Sequence, residues 1–254
     1  MFTQYKKGQV TVYIIVGLVL LLFVSAYLIM YNAVAPEVTA DDLTVFGTFS
    51  AEAAFLQSCL VTASEDALLI NGLKGGLYAP QQHIFGDYRS PITTFYKAGS
   101  VIAPTNGAVM ESLALEFNDF FLECVRTYNE TATMQIGSPN TNVQILTDRV
   151  MFNTVWPVTF TKDQERRIFR DFSHTISDVR LSKILDLARE LSFIQTTDVE
   201  YICASCVVEL ADLHYMWIDF VDVGELRTVY TFTDLFSDIN GGPYVFVMAH
   251  EHAP

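Results

Sequence analysis

The sequence predicts an α+β protein: an N-terminal transmembrane helix, then an extracytoplasmic body in which antiparallel strands pack with several helices. Three observations carry that expectation. An uncharged apolar run lies near the N-terminus. Apolar residues then recur at helical spacing in some segments and at alternating spacing in others. The segments run in the order helix, helix, strands, helices, strands. A length of 254 residues fits one or two domains. The composition divides the chain into a cytoplasmic tip and membrane helix at 1–36, a mainly helical region with a long loop at 37–130, and an α+β region at 131–254.

From Val10 to Tyr31 the chain carries no charge, and the run includes Ile14, Ile15, Val16, Leu18, Val19, Leu20, Leu21 and Leu22. A helix rises about 1.5 Å per residue, so a stretch of this length crosses a hydrocarbon core of about 30 Å. A buried core helix would show a polar face, and none interrupts the run. Lys6 and Lys7 precede it, whereas Glu37, Asp41 and Asp42 follow it, which places the N-terminus in the cytoplasm and the body outside. A cleaved secretory signal has an apolar region of about 7–15 residues and ends in small residues. This run is longer and closes on Tyr27-Leu28-Ile29-Met30-Tyr31, so the helix is expected to stay in contact with membrane lipid.

Beyond the anchor, Ser50 to Ile70 reads as a helix, with Ala54, Phe55, Cys59, Leu60 and Ala63 at three- and four-residue spacing and Asn71-Gly72 as its stop. Ala79 to Asn106 carries Pro80, Pro91 and Pro104 and reads as a long loop. Gly107 to Tyr128 returns to helix through Val109, Leu113, Phe117, Phe121 and Cys124. Three strands follow, Asn142 to Leu146, Val150 to Thr161 and Glu165 to Ser177, with breaks at Asp148-Arg149 and Lys162-Asp163-Gln164. They predict an antiparallel meander. In its middle strand Val150, Phe152, Thr154, Trp156, Val158 and Phe160 share one face, while Pro157 calls for an edge or a bulge. Val179 to Gln195 forms a helix whose buried stripe is Leu181, Ile184, Leu185, Ala188, Leu191 and Ile194, with Arg180, Lys183, Asp186, Arg189 and Glu190 facing water. A second helix, Asp198 to Leu213, opens on a capping box at Thr197 and Glu200. Strands Tyr215 to Val223, Leu226 to Thr233 and Tyr244 to Ala249 end the chain, the last turn marked by Asn240-Gly241-Gly242-Pro243.

The chain carries 15 basic and 29 acidic residues, a formal net charge of −14. With Lys6 and Lys7 inside, the exported part is more acidic still, which argues against nucleic acid as a partner. Most basic residues fall between Arg149 and Arg189. Arg166, Arg167 and Arg170 form either a contact patch or, the simpler reading, a solvated strand edge.

The four cysteines, Cys59, Cys124, Cys203 and Cys206, all follow the anchor, and an even number in an exported body favours disulfides. Three connectivities are open. Cys203 and Cys206 form a C-x-x-C, which also suits a redox pair or half a zinc site, but no second close pair completes the latter. A redox dithiol sits at a strand-to-helix junction, whereas this pair is expected a turn inside a helix. His250-Glu251-His252 reads as a solvated tail rather than a metal site. No H-E-x-x-H, G-x-S-x-G or P-loop occurs, and Gly72 to Gly76 reads as a helix terminus and turn. Asp219 and Asp222 point to opposite faces of their strand and make no glycosidase dyad. No catalytic residue, metal ligand or cofactor is expected. Asn129-Glu130-Thr131 is an N-glycosylation acceptor pattern, with Asn129 the candidate residue.

The N-terminal sequence Lys6-Lys7-Gly8-Gln9-Val10-Thr11-Val12-Tyr13 resembles the class III signal of archaeal type IV pilin-like proteins. In those families a peptidase cuts after the glycine, here Gly8, leaving Gln9 first. Tyr13 stands at the fifth mature position, where many pilins carry glutamate. Leu56-Gln57-Ser58-Cys59-Leu60, Leu73-Lys74-Gly75-Gly76-Leu77-Tyr78, Arg180-Leu181-Ser182-Lys183-Ile184, Ile202-Cys203-Ala204-Ser205-Cys206 and Asn240-Gly241-Gly242-Pro243-Tyr244-Val245-Phe246 resemble segments of uncharacterised exported archaeal single-pass membrane proteins. That resemblance implies archaeal origin and a cell-surface location and brings no activity with it. The expectation is a non-enzymatic, membrane-anchored surface protein that binds or assembles with envelope components. Its rivals are a pilin-like filament subunit processed after Gly8 and an extracytoplasmic thiol-disulfide enzyme using Cys203 and Cys206.

Overall fold

The computed structural model describes residues 49–80, 83–85, 91–128, 132–197, 202–224 and 226–253, with 83–85 as backbone. The expected membrane run, Gly8, Gln9, Asn129 and most of the capping box at Thr197 lie outside these residues. Within them the protein is a mixed α/β fold of four helices and two sheets rich in antiparallel pairs.

Helix α1 (Ser50–Leu73) and helix α2 (Asn106–Arg126) form a pair between the sheets. α1 buries Leu56, Cys59, Leu60, Ala63, Ala67 and Leu68 on one stripe. Its last turn runs close to a strand: a Cβ on Gly72 would lie 2.5 Å from the Val245 carbonyl oxygen, so only glycine permits the approach. Gly75 then takes φ +74° and turns the chain away, as a helix terminus requires. Among the described residues α1 alone is long and apolar enough to cross a membrane. Its packing in the body accounts for that apolarity. In α2 the Thr105 hydroxyl caps the first turn by accepting from the Ala108 amide at 3.2 Å. Lys74 pairs with buried Glu116 of α2 at 3.0 Å, and burial still pushes that carboxyl above the usual carboxylate range.

The first sheet contains β1 (His83–Phe85), β2 (Pro91–Lys97), β3 (Ser100–Val101), β8 (Trp217–Gly224), β9 (Arg227–Ile239) and β10 (Gly242–Glu251). Its order is β1-β2-β10-β9-β8, with β3 also on β2. The segment expected as a long loop therefore holds three strands. β2 pairs parallel with β10 and is buried along most of its length, so it shows no polar alternation, and its flanking prolines hide it further. In β10, Tyr244, Phe246, Met248 and His250 share one face. The Tyr244 hydroxyl donates to the Leu68 carbonyl of α1 at 3.3 Å, while His250 meets Ser192 of α3 (Leu181–Ile194) at 2.9 Å. Both helices thus cover that face. Val247 and Ala249 on the other face join Ile92 and Val229 in a small second cluster.

The second sheet is the expected meander: β4 (Thr133–Ile136) and β5 (Asn140–Ile145) lie end to end along one edge of β6 (Arg149–Lys162), and β7 (Glu165–Ser177) lies along the other. Val150, Phe152, Thr154, Trp156, Val158 and Phe160 are all buried, as their alternation predicts. Pro157 falls where the β6–β7 register shifts, in a bulge that needs no amide from it. Phe117 and Phe121 of α2 pack on Phe152, Trp156 and Phe172 with ring centroids 5.2, 4.8 and 5.3 Å apart. That aromatic contact fixes the helix pair to the meander.

Candidate functional site at the α4–β8 end

Helix α4 (Ala204–His214) buries only Val207 and Leu210. Val208 and Leu213 face solvent, and Tyr215 ends the helix at φ +52°. Strand β8 follows as the open edge of its sheet. Its sequence, Trp217-Ile218-Asp219-Phe220-Val221-Asp222-Val223, repeats every three residues rather than every two. Side chains alternate between the two faces of a strand, so a three-residue repeat on an edge strand puts apolar side chains on both faces, including the one that solvent reaches. Trp217 is 61% and Val221 60% exposed, and Leu235 and Phe236 of β9 extend the apolar surface. Large contiguous apolar patches are uncommon on solvated surfaces, whereas apolar residues exposed singly are ordinary.

Cys203 and Cys206 form a disulfide in the first turn of α4. They were expected a turn inside a longer helix. The helix instead starts at Ala204 with Cys203 as its N-cap, so both sulfurs sit at the positive end of the helix dipole, half-buried. A thiolate formed there by reduction is stabilised by that end. Ser205 Oγ lies 3.6 Å from Cys203 Sγ. Cys59 and Cys124 are joined too, tying α1 to α2 across 65 residues in the core.

An ion pair that the sequence reading missed holds this end to the body. Arg180 was expected to face water. It is half-buried, and its Nε donates to Asp234 Oδ2 at 2.8 Å while its Nη2 reaches Oδ1. The same Nη2 donates to the Tyr215 carbonyl at 3.4 Å, and the guanidinium stacks 4.8 Å from the Phe236 ring centroid. Burial alone would raise the Asp234 carboxyl. The hydrogen bonds from Arg180, Ser237 and the Phe236 amide outweigh it and hold the group below the usual carboxylate range. Residues 54 apart leave no local signal of such a pair.

The C-terminal histidines correct a second expectation. His250 and His252 are buried rather than a solvated tail. β10 continues to Glu251, which carries His250 under α3 beside Tyr96 and Tyr230, and His252 beside Tyr96. His252 pairs with Thr228 at 3.0 Å. Burial, with His252 beside it, pulls the His250 imidazole down to about 3, so it is neutral at physiological pH. Among the described residues no three His, Cys, Asp or Glu side chains are grouped to hold a metal.

Arg166, Arg167 and Arg170 all lie exposed on β7, which among the described residues pairs only with β6. Asp219 and Asp222 lie exposed on β8, on opposite faces as their spacing predicts. Gly8, Gln9 and Asn129 fall outside the described residues. No family model, curated protein or solved structure matches the chain.

Proposed function

We propose that this chain is a membrane-anchored, extracytoplasmic association protein without catalytic function, its N-terminus in the cytoplasm and its body outside. It assembles with copies of itself or with other envelope proteins. The observation that carries this reading is the apolar surface of α4 and β8, where Leu213 on the helix and Trp217 and Val221 on the open sheet edge are each at least 60% exposed. The uncharged run at Val10 to Tyr31 supplies the anchor and the flanking charges its orientation. The test is the particle mass of the full chain extracted from its membranes in mild detergent. Particles larger than one chain are expected, and Leu213→Lys should shrink them while changing stability by no more than about 0.5 kcal/mol. A wild-type chain that runs as a monomer, free of partners, would overturn the reading.

A filament subunit is the version of this reading favoured by Lys6-Lys7-Gly8-Gln9. Intact mass of the native protein decides it: a chain beginning at Gln9 supports processing, and one retaining the first eight residues supports a stationary anchor. The helix N-terminus beside Cys203 and Cys206 favours a second reading, thiol-disulfide exchange. Rapid alkylation of a low-pKa thiolate after mild reduction would support it, and cysteines that stay oxidised would sink it.

A further inference from the structure

We infer that copies of this chain join edge to edge, the β7 edge of one copy lying antiparallel along the β8 edge of the next. The inference rests on the assembly reading above and names its contact.

Both strands are open edges: among the described residues β7 pairs only with β6 and β8 only with β9. They are also the long unbroken edges. β1 has 3 residues and β3 has 2, and the edge formed by β4 and β5 is interrupted between Ile136 and Asn140. An open edge presents unpaired backbone amides and carbonyls, a template for another strand. What selects the partner is side-chain pattern.

β7 carries Arg167-Ile168-Phe169-Arg170, and β8 carries Asp219-Phe220-Val221-Asp222. Each block is charge, apolar, apolar, charge, with opposite signs. Antiparallel pairing of the blocks sets Arg170 opposite Asp219, Phe169 opposite Phe220, Ile168 opposite Val221 and Arg167 opposite Asp222. Directly opposite residues share a face, so one ion pair falls on each side of the joint sheet. All these side chains are exposed except Phe169, which is half-buried. No carboxylate of the described residues lies within ion-pair distance of Arg167 or Arg170. Among the described residues Asp219 engages the Trp217 indole N–H and Asp222 the Gly224 amide.

The same pattern disfavours the symmetric alternatives. β8 on β8 in this register would set Asp219 against Asp222, and β7 on β7 would set Arg167 against Arg170. Like charges directly opposite destabilise a strand pair. The matched contact uses two different surfaces of one chain, so each copy keeps a free edge at either end and the contact repeats head to tail.

The experiment uses the full chain in membranes, with the photo-cross-linker benzoylphenylalanine in place of Ile168. Irradiation should give a ladder of cross-linked copies, with position 168 linked to the 217–224 segment of another copy. R167E/R170E and D219R/D222R should each lower the cross-linked yield about tenfold, since like charges then oppose across the contact. Co-expressing the two reversed chains should restore the ladder, because each then meets a matched edge on the other. Links from β7 to β7 or to a different protein, or no rescue on mixing, would overturn the contact. Larger particles without the 168-to-β8 link would sink this contact while leaving the assembly reading standing. Monomers by both cross-linking and particle mass would remove both.

Discussion

The two cystines contrast the two ends of the body. Cys59–Cys124 joins two helices in the core, where Cys59 is 1% exposed, and closes 65 residues of chain. Cys203–Cys206 closes 3 residues within one helical turn at the surface. One restrains how two elements sit against each other. The other restrains only its own turn, and the α4–β8 end is held by other contacts, among them the β8–β9 ladder, buried Val207 and Leu210, and the Arg180–Asp234 pair. The same bond therefore serves the global fold in one place and leaves a chemically reachable group in the other.

The comparison breaks or sharpens in order of effect. Replacing both Cys59 and Cys124 by Ala should lower unfolding stability by about 4 kcal/mol on loop-closure entropy. Urea unfolding of the variant checks this, and a loss below that of the surface pair would reverse the contrast. Asp234→Asn should cost about 3 kcal/mol, because it strands the half-buried Arg180 charge. The expected change concentrates at one end, with faster hydrogen exchange in α4 and β8 than in α1 and α2. Because the folded Asp234 sits below its unfolded value, its contribution is full above the ordinary aspartate range near about 4 and is lost as pH falls through the lower folded value. Acid titration of wild type and Asp234→Asn should therefore converge at low pH. Removing Cys203 and Cys206 together should cost about 2 kcal/mol by the same loop-entropy relation. Mild reductant should also open this pair before Cys59–Cys124, read by the order of alkylation, since only the surface pair is reachable.

Much of the fold was legible because periodicity reports one-sided burial. The meander, α2 and α3 present a single apolar face, α1 buries one stripe of a helix that is apolar on several sides, and their bounds came out within a few residues. β2 was not legible, because a strand buried on both faces has no alternation to read and Pro91 imitates a loop. The α4 start was misjudged because a capping box at Thr197 and Glu200 looked sufficient, yet the helix begins at Ala204. At the candidate site the three-residue repeat of β8 was visible in the sequence and went unused as a sign of apolar exposure. The burial of His250 and the Arg180–Asp234 pair had no sequence signal, since each depends on residues far apart in the chain.

By itself the sequence determined the α+β class, the order of most elements and the acidic balance, because these follow from local periodicity and composition. It also carried the four cysteines without saying how they pair. Tertiary structure alone decided their connectivity, the parallel docking of β2 on β10, and which apolar side chains stay outside. Those outcomes are set by which surfaces meet, and contacts between residues distant in sequence leave no periodic trace in either partner.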